Sequence, residues 1–271
     1  MDIKEIPSMV PSSLGWSLSQ FQSLVLIMMR VAPILFMMPL LDSRTLPIML
    51  KVGLTLTVSL VLCPIVKIET SHFPSEPYRF GFFMVSEMMI GFLLGLSIRL
   101  IFGAIQLAGE FAGFQMGFSM ASAIDPQSGM DSTLIAQLHY LLGLLIFLSI
   151  DGHHWFFRAL AQSFHLLSPG EFHFQEGLYH YFIHLSGRMF LIALQMVAPV
   201  MAILFLVQMT MGLVARMVPQ VNVLVTSFPL TISLGLVFLG LSMELLWPYL
   251  KTLFNDSGKG LVMTLLPLMK R

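Results

Sequence analysis

Six of the eight histidines (His153, His154, His165, His173, His180 and His184) fall within one 32-residue window. Imidazoles at that density could build a metal site, and His180 and His184 have the i, i+4 spacing that puts two ligands on one helical face. The rest of a metal signature is missing. No HExxH occurs, and neither a cysteine nor a carboxylate pattern completes a ligand set. The window reads as a histidine-rich aqueous interface with no metal and no cofactor.

Catalytic motifs fare no better. The string DGHHWFFR at 151–158 superficially matches the opening of a membrane phosphatidyltransferase motif, but the further aspartates that would hold a divalent ion are absent. No GxSxG elbow is present and no local motif marks a Ser, His and Asp set. The chain is therefore expected not to be an enzyme.

A different kind of chemistry attaches to charges in apolar surroundings. Arg30, Lys51, Glu87, Arg99, Arg188 and Glu244 lie within or at the edge of apolar runs. Such groups normally face a bundle interior, a water-filled cavity or another chain. Lys51, near a helix start, suits snorkelling to the headgroups. Glu87 and Arg99 suit it poorly and are expected to be paired with other groups; their helical phases differ by about 120°, so they should not meet each other along one face.

The most informative segment is mechanical. Between Gly109 and Gly129 the chain reads GEFAGFQMGFSMASAIDPQSG, with Gly109, Gly113 and Gly117 at every fourth position. On a helix these three lie on one face and let another backbone approach closely. Phe111, Phe114, Met116, Phe118 and Met120 project elsewhere. Thioethers adapt to changing contacts, and a deformable apolar constriction can exclude water and ions by dewetting yet yield to a passing chain. Residues 111–120 are read as a gate.

These residues need a membrane scaffold. Hydrophobic residues make up 56% of the 271 and charged ones only 10%, where a water-soluble domain carries nearer a quarter. Fourteen basic and fourteen acidic side chains cancel, so no net field recruits nucleic acid. Cys63 is the single cysteine and can form no internal disulfide. Asp2, Glu5 and the polar stretch to Ser17 argue against a cleavable secretory signal. Apolar runs at 18–41, 46–66, 80–108, 134–150, 178–210 and 221–253 predict an all-α, integral-membrane-type fold of about six long helices. Pro33, Pro39, Pro199, Pro229 and Pro248 should kink them. After the fourth run, WFFRALAQSF continues as an amphipathic piece that extends that helix or lies on the bilayer surface. Residues 168–176 form a loop.

The last two runs exceed the bilayer requirement and meet at MGLVARMVPQVN, so 178–253 reads as a long hairpin turning at Arg216, Pro219 and Gln220. Counted from a turn centred near residue 216, Arg188 and Glu244 stand at the same height, and an ion pair between them is expected. Outside the six spans, eight Lys and Arg lie on the side of both termini against three on the other. That bias alone would put the termini in the cytoplasm.

The combination of GFQMGFSMASAIDPQSG (113–129), FLSIDGHHWFFRALAQSF (147–164), APVMAILFLVQMTMGLVARMVPQVNV (198–223), FPLTISLGLVF (228–238) and the earlier PLLDSRTLPIMLKVGLTL (39–56) resembles the FliR family. That family is the export-gate component of the flagellar type III secretion apparatus, related to the SctT proteins of virulence injectisomes. The resemblance implies one domain over 1–271: a FliP-like front half (1–177) with the plug at 109–129, a FliQ-like hairpin (178–253) and a C-terminal tail (254–271). It implies a non-catalytic subunit, assembled with FliP and FliQ and joined by FlhB and FlhA, in the inner membrane at the flagellar basal body. Unfolded flagellar proteins would pass through the gate, with lipid around it and no nucleic acid involved. It also implies that the plug comprises Phe111, Gly113, Phe114, Gln115, Met116, Gly117, Phe118 and Met120, with its turn at Asp125 and Pro126. By similarity to FliQ, the hairpin turn at Arg216, Pro219 and Gln220 faces the cytoplasm, against the charge bias; the family is followed here. Because the family's plug is a loop, an interrupted helix is expected across the glycines.

Overall fold

The computed structural model describes residues 18–41, 46–66, 77–118, 133–218, 220 and 222–270. These residues are helical apart from turns and connectors. The helices are α1 (Leu18–Met37), α2 (Ile48–Leu62), α3 (Pro77–Met116), α4 (Leu134–Ser149), α5 (Gly152–Leu166), α6 (Glu176–Met217) and α7 (Val223–Gly260). A π-helical turn (Leu261–Leu265) and the short α8 (Leu266–Met269) follow. Prolines 33, 199, 229 and 248 lie inside helices, as the sequence indicates, while Pro39 sits beyond α1, where its carbonyl accepts from Tyr140 at 3.0 Å.

Four helices (α1, α3, α6 and α7 with its continuation) are long and apolar enough to cross a bilayer. The expected six spans need correction. At 15 residues α2 falls short of the roughly 20 required. α4 and α5 together could make one further span, but they are bent by 68°. The bend is built into Asp151 and Gly152. Asp151 has φ +56, outside the helical region, and a Cβ on Gly152 would stand 2.4 Å from the Phe147 ring. α5 then turns Phe156, Leu160 and Phe164 inward, as its amphipathic pattern suggests.

α3 is the hub and packs on α1, α4, α6 and α7. Its contact with α1 has almost no room: a Cβ on Gly91 would lie 2.2 Å from the Arg30 carbonyl oxygen, and one on Gly95 2.9 Å from Met37 Cβ. That proximity lets Arg30 reach Glu87. The guanidinium donates to both carboxylate oxygens, Nε at 2.5 Å and Nη2 at 2.9 Å, and both side chains are fully buried. Arg30 also donates to Ser163 Oγ at 3.2 Å and the Leu167 carbonyl at 3.1 Å, and lies 4.2 Å from the Phe164 ring centroid. With the bidentate geometry and further partners that a buried charge pair needs, this network ties α1, α3 and α5 together. Beside it, Phe102 packs on Tyr140, Phe147 and Phe254, with centroids 5.4–5.8 Å apart.

α6 and α7 form the long hairpin, closed by Asn222, whose side chain accepts from Val225 N–H at 3.4 Å. Its register differs from the sequence expectation. Tyr249 donates to Gln195 Oε1 at 2.8 Å, which centres the hairpin on residue 222, six residues later than assumed. Doubling that offset displaces Glu244 from the height of Arg188 by about 18 Å of helix rise. The expected Arg188–Glu244 ion pair is accordingly not formed, and both residues are exposed. The stretch 254–271, expected as a tail, is helical through Met269. Its Phe254, Leu261, Leu265, Leu266 and Met269 are buried in the core.

Candidate functional site

The glycine-spaced segment begins as helix. α3 runs through Gly109 and Gly113 without a break and ends at Met116, after which Gly117 adopts φ +97 and donates its N–H to the Phe114 carbonyl at 3.1 Å. The interruption therefore falls at the third glycine, the one residue type that takes this conformation without steric cost.

The first two glycines make the close approach their spacing suggests. A Cβ on Gly109 would meet Ala136 Cα at 2.5 Å and one on Gly113 would meet Thr133 Oγ1 at 2.7 Å, so the end of α3 lies directly on the start of α4. Gly117 does not share that contact; its neighbour is the Phe228 ring, which a Cβ at this position would meet at 2.7 Å. Thr133 caps α4 by accepting from Ala136 N–H at 3.2 Å. Its own N–H donates to Glu110 Oε1 at 3.1 Å. The start of α4 thus lies on the last turns of α3, and a carboxylate fastens the two. Nothing in the local sequence pattern marks Glu110 for this role beyond its charge in an apolar run.

The side chains between these points divide. Phe114 is 70% exposed, while Phe111 and Phe118 are partly buried against the core. Met116, assigned to the plug by resemblance, is fully buried: its side chain fills the space over Gly235, and its carbonyl accepts from Thr231 Oγ1 at 3.2 Å. Within this chain Met116 is a packing residue. Gln115 bridges to α6, its side chain donating to the Met201 carbonyl at 3.4 Å and its carbonyl accepting from Gln208 at 3.2 Å. Met120, Asp125, Pro126 and Pro219 lie outside the described residues. Arg216 and Gln220 are exposed at the hairpin turn.

The histidine window does not converge on one place. Among the described residues, the window brings three potential ligands together at the α4–α5 bend: Asp151, His153 and His154, whose ligand atoms lie within 4.8 Å of one another. Asp151 thus supplies a nearby carboxylate that the sequence pattern does not reveal, and the spacing would admit a metal ion. His180 stands 3.6 Å from Glu176 instead of pairing with His184.

The family model described as bacterial export proteins, family 1, matches residues 21–257. The chain is 35% identical over 238 residues to a flagellar biosynthetic protein FliR of Bacillus subtilis, covering 87% of this chain and 91% of the relative. It is 30% identical to the FliR of Pectobacterium carotovorum (84% and 86% covered) and 29% identical to that of Escherichia coli K12 (84% and 87% covered).

Proposed function

The chain belongs to the bacterial export proteins, family 1, and from that premise we propose that it is a non-catalytic subunit of the flagellar protein export gate. It is a membrane protein of the flagellar export apparatus. Its place is the inner membrane at the basal body, its partners are FliP, FliQ, FlhB and FlhA, and unfolded flagellar subunits are its cargo. The hairpin turn at Arg216 and Gln220 faces the cytoplasm.

Within that assembly, the segment from Phe111 to Gly129 closes the passage. The observation that carries this reading is the anchored end of α3. The Glu110 and Thr133 contacts and the two crowded glycines hold that end against α4, while Phe114, in the last turn of the helix, is largely uncovered. An exposed aromatic on a fixed base can seal by dewetting and be pushed aside without unfolding the scaffold. The hydrogen bonds of Gln115 to α6 steady that base against the hairpin.

The test is membrane conductance through assembled gate complexes. Phe114→Ala should raise leakage of small ions while leaving copurification of the partner chains intact. Assembled Phe114→Ala complexes as tight as the unmodified ones would remove the plug role from this residue. Isolation of the chain as an active homo-oligomeric transporter of small solutes would overturn the wider reading.

A further inference from the structure

A cavity of about 450 Å³ lies between α4, α6 and α7, well away from the end of α3. Its wall is apolar except for His139 and Ser149, and no charged residue lines it. His139 is 4% exposed. Its Nδ1 faces the Ile135 carbonyl at 3.0 Å, an oxygen that can only accept, so in the neutral ring Nε2 is left as an acceptor. That nitrogen has no hydrogen bond among the described residues. At the other end Ser149 spends its hydroxyl proton on the Ile146 carbonyl at 2.9 Å. The cavity therefore offers acceptors and no free donor from either group. The two sit ten residues apart on one helix, about 15 Å.

An unpaired acceptor in such a site is costly, and a lone water, which needs two to four polar partners, would find too few near His139. The exposed lining residues are Leu145, Trp247 and Ser149, the first two by 63% and 47%, so the cavity opens along a largely apolar surface. A ligand entering there comes from the hydrocarbon phase. We propose that this cavity binds a neutral, chain-like amphiphile of the bilayer bearing a hydroxyl, with the hydroxyl donating to His139 Nε2 and the chain lying along α4 toward Ser149. Charged headgroups are excluded by the lining. Ligands that only accept, such as simple esters, leave His139 unsatisfied. A continuous trough of this length suits a flexible chain better than the separated knobs of a neighbouring helix, whose side chains recur every 5–6 Å.

The probes are 1-dodecanol and n-dodecane, measured as saturable binding to the full chain in single-phospholipid nanodiscs. Dodecanol should bind about tenfold or more tighter than dodecane, the worth of one buried hydrogen bond. His139→Leu should erase that preference while keeping alkane binding, and Met243→Trp should abolish both by filling the space. A variant that fails to fold is recognised by its melting profile, and the wild-type comparison of alcohol with alkane stands without it. Equal binding of the two probes, or no saturable binding of either, overturns the proposal. So does a photoreactive group at Leu145 that labels a neighbouring subunit in the intact export complex instead of a lipid-phase molecule.

Discussion

The α3 hub and the α6–α7 hairpin are both long, apolar helical elements, yet they handle the same problems in opposite ways. Of the apolar stretch of α3, 61% is buried within the chain, against 33% for α6 and 28% for α7 with its continuation. The glycines repeat the contrast. Gly91, Gly95, Gly109 and Gly113 each lie where a Cβ would strike a neighbour, with Gly81 open near the start of α3, whereas on the hairpin Gly187, Gly212 and Gly240 face open space and Gly235 is crowded by Met116. So do the charges: Arg30 and Glu87 satisfy each other inside the chain, while Arg188 and Glu244 stand exposed and apart. The hub is covered for the most part within one polypeptide, with Phe82 and Phe114 left open toward its two ends. The hairpin is built for surroundings that the chain does not supply.

Removing one half of the buried pair should produce the largest effect. Arg30→Met or Glu87→Gln leaves an unmatched buried group and should cost about 3–5 kcal/mol, read as a large drop in melting temperature of the purified chain. The double variant Arg30→Met with Glu87→Met should recover much of that loss. If either single change is silent, the hub is not held as described.

Next comes backbone contact. Gly91→Ala forces a methyl onto the Arg30 carbonyl and should cost about 1–3 kcal/mol, measured in the same way. The matching changes on the hairpin sharpen the comparison. Gly187→Ala, Gly212→Ala and Gly240→Ala should stabilise the isolated chain by about 0.5–1 kcal/mol each, since helix propensity improves and nothing is struck. If any of these blocks assembly of the export complex while stabilising the chain alone, the open face is a partner contact. The smallest effect concerns the hairpin charges: in a double-mutant cycle on Arg188→Glu and Glu244→Arg, coupling should stay within about 0.5 kcal/mol. A rescue larger than that would require a register different from the one set by Tyr249 and Gln195.

The same contrast explains what could be read from sequence. Helical class and the Gly109 and Gly113 approach were legible because each depends on local spacing, whereas the break at the glycine stripe was expected from the family resemblance and not from the spacing, which permits a continuous helix. The need of Glu87 for a partner was legible too, but its partner was not: Arg30 lies 57 residues away, and only the packing of α1 on α3 brings them together. The hairpin centre was misplaced because polar Arg216 still belongs to the last turn of α6, so polarity began before the chain actually turned. The helix beyond Leu253 was missed because Asn255, Asp256, Ser257 and Lys259 interrupt the apolar run on one side while Phe254 and Leu261 continue it on the other. The short α2 and the bent α4–α5 pair show that hydropathy counts apolar residues without fixing where a rod ends.

The Glu110–Thr133 fastening has a consequence for how such a chain can be remodelled. Because the start of α4 is held on the last turns of α3, the length of what connects them is uncoupled from the architecture around it. Doubling that length adds only about 0.6 kcal/mol of closure entropy. An epitope or fluorophore-accepting peptide spliced in between Phe118 and Thr133 would lengthen the connection and leave the helices where they stand.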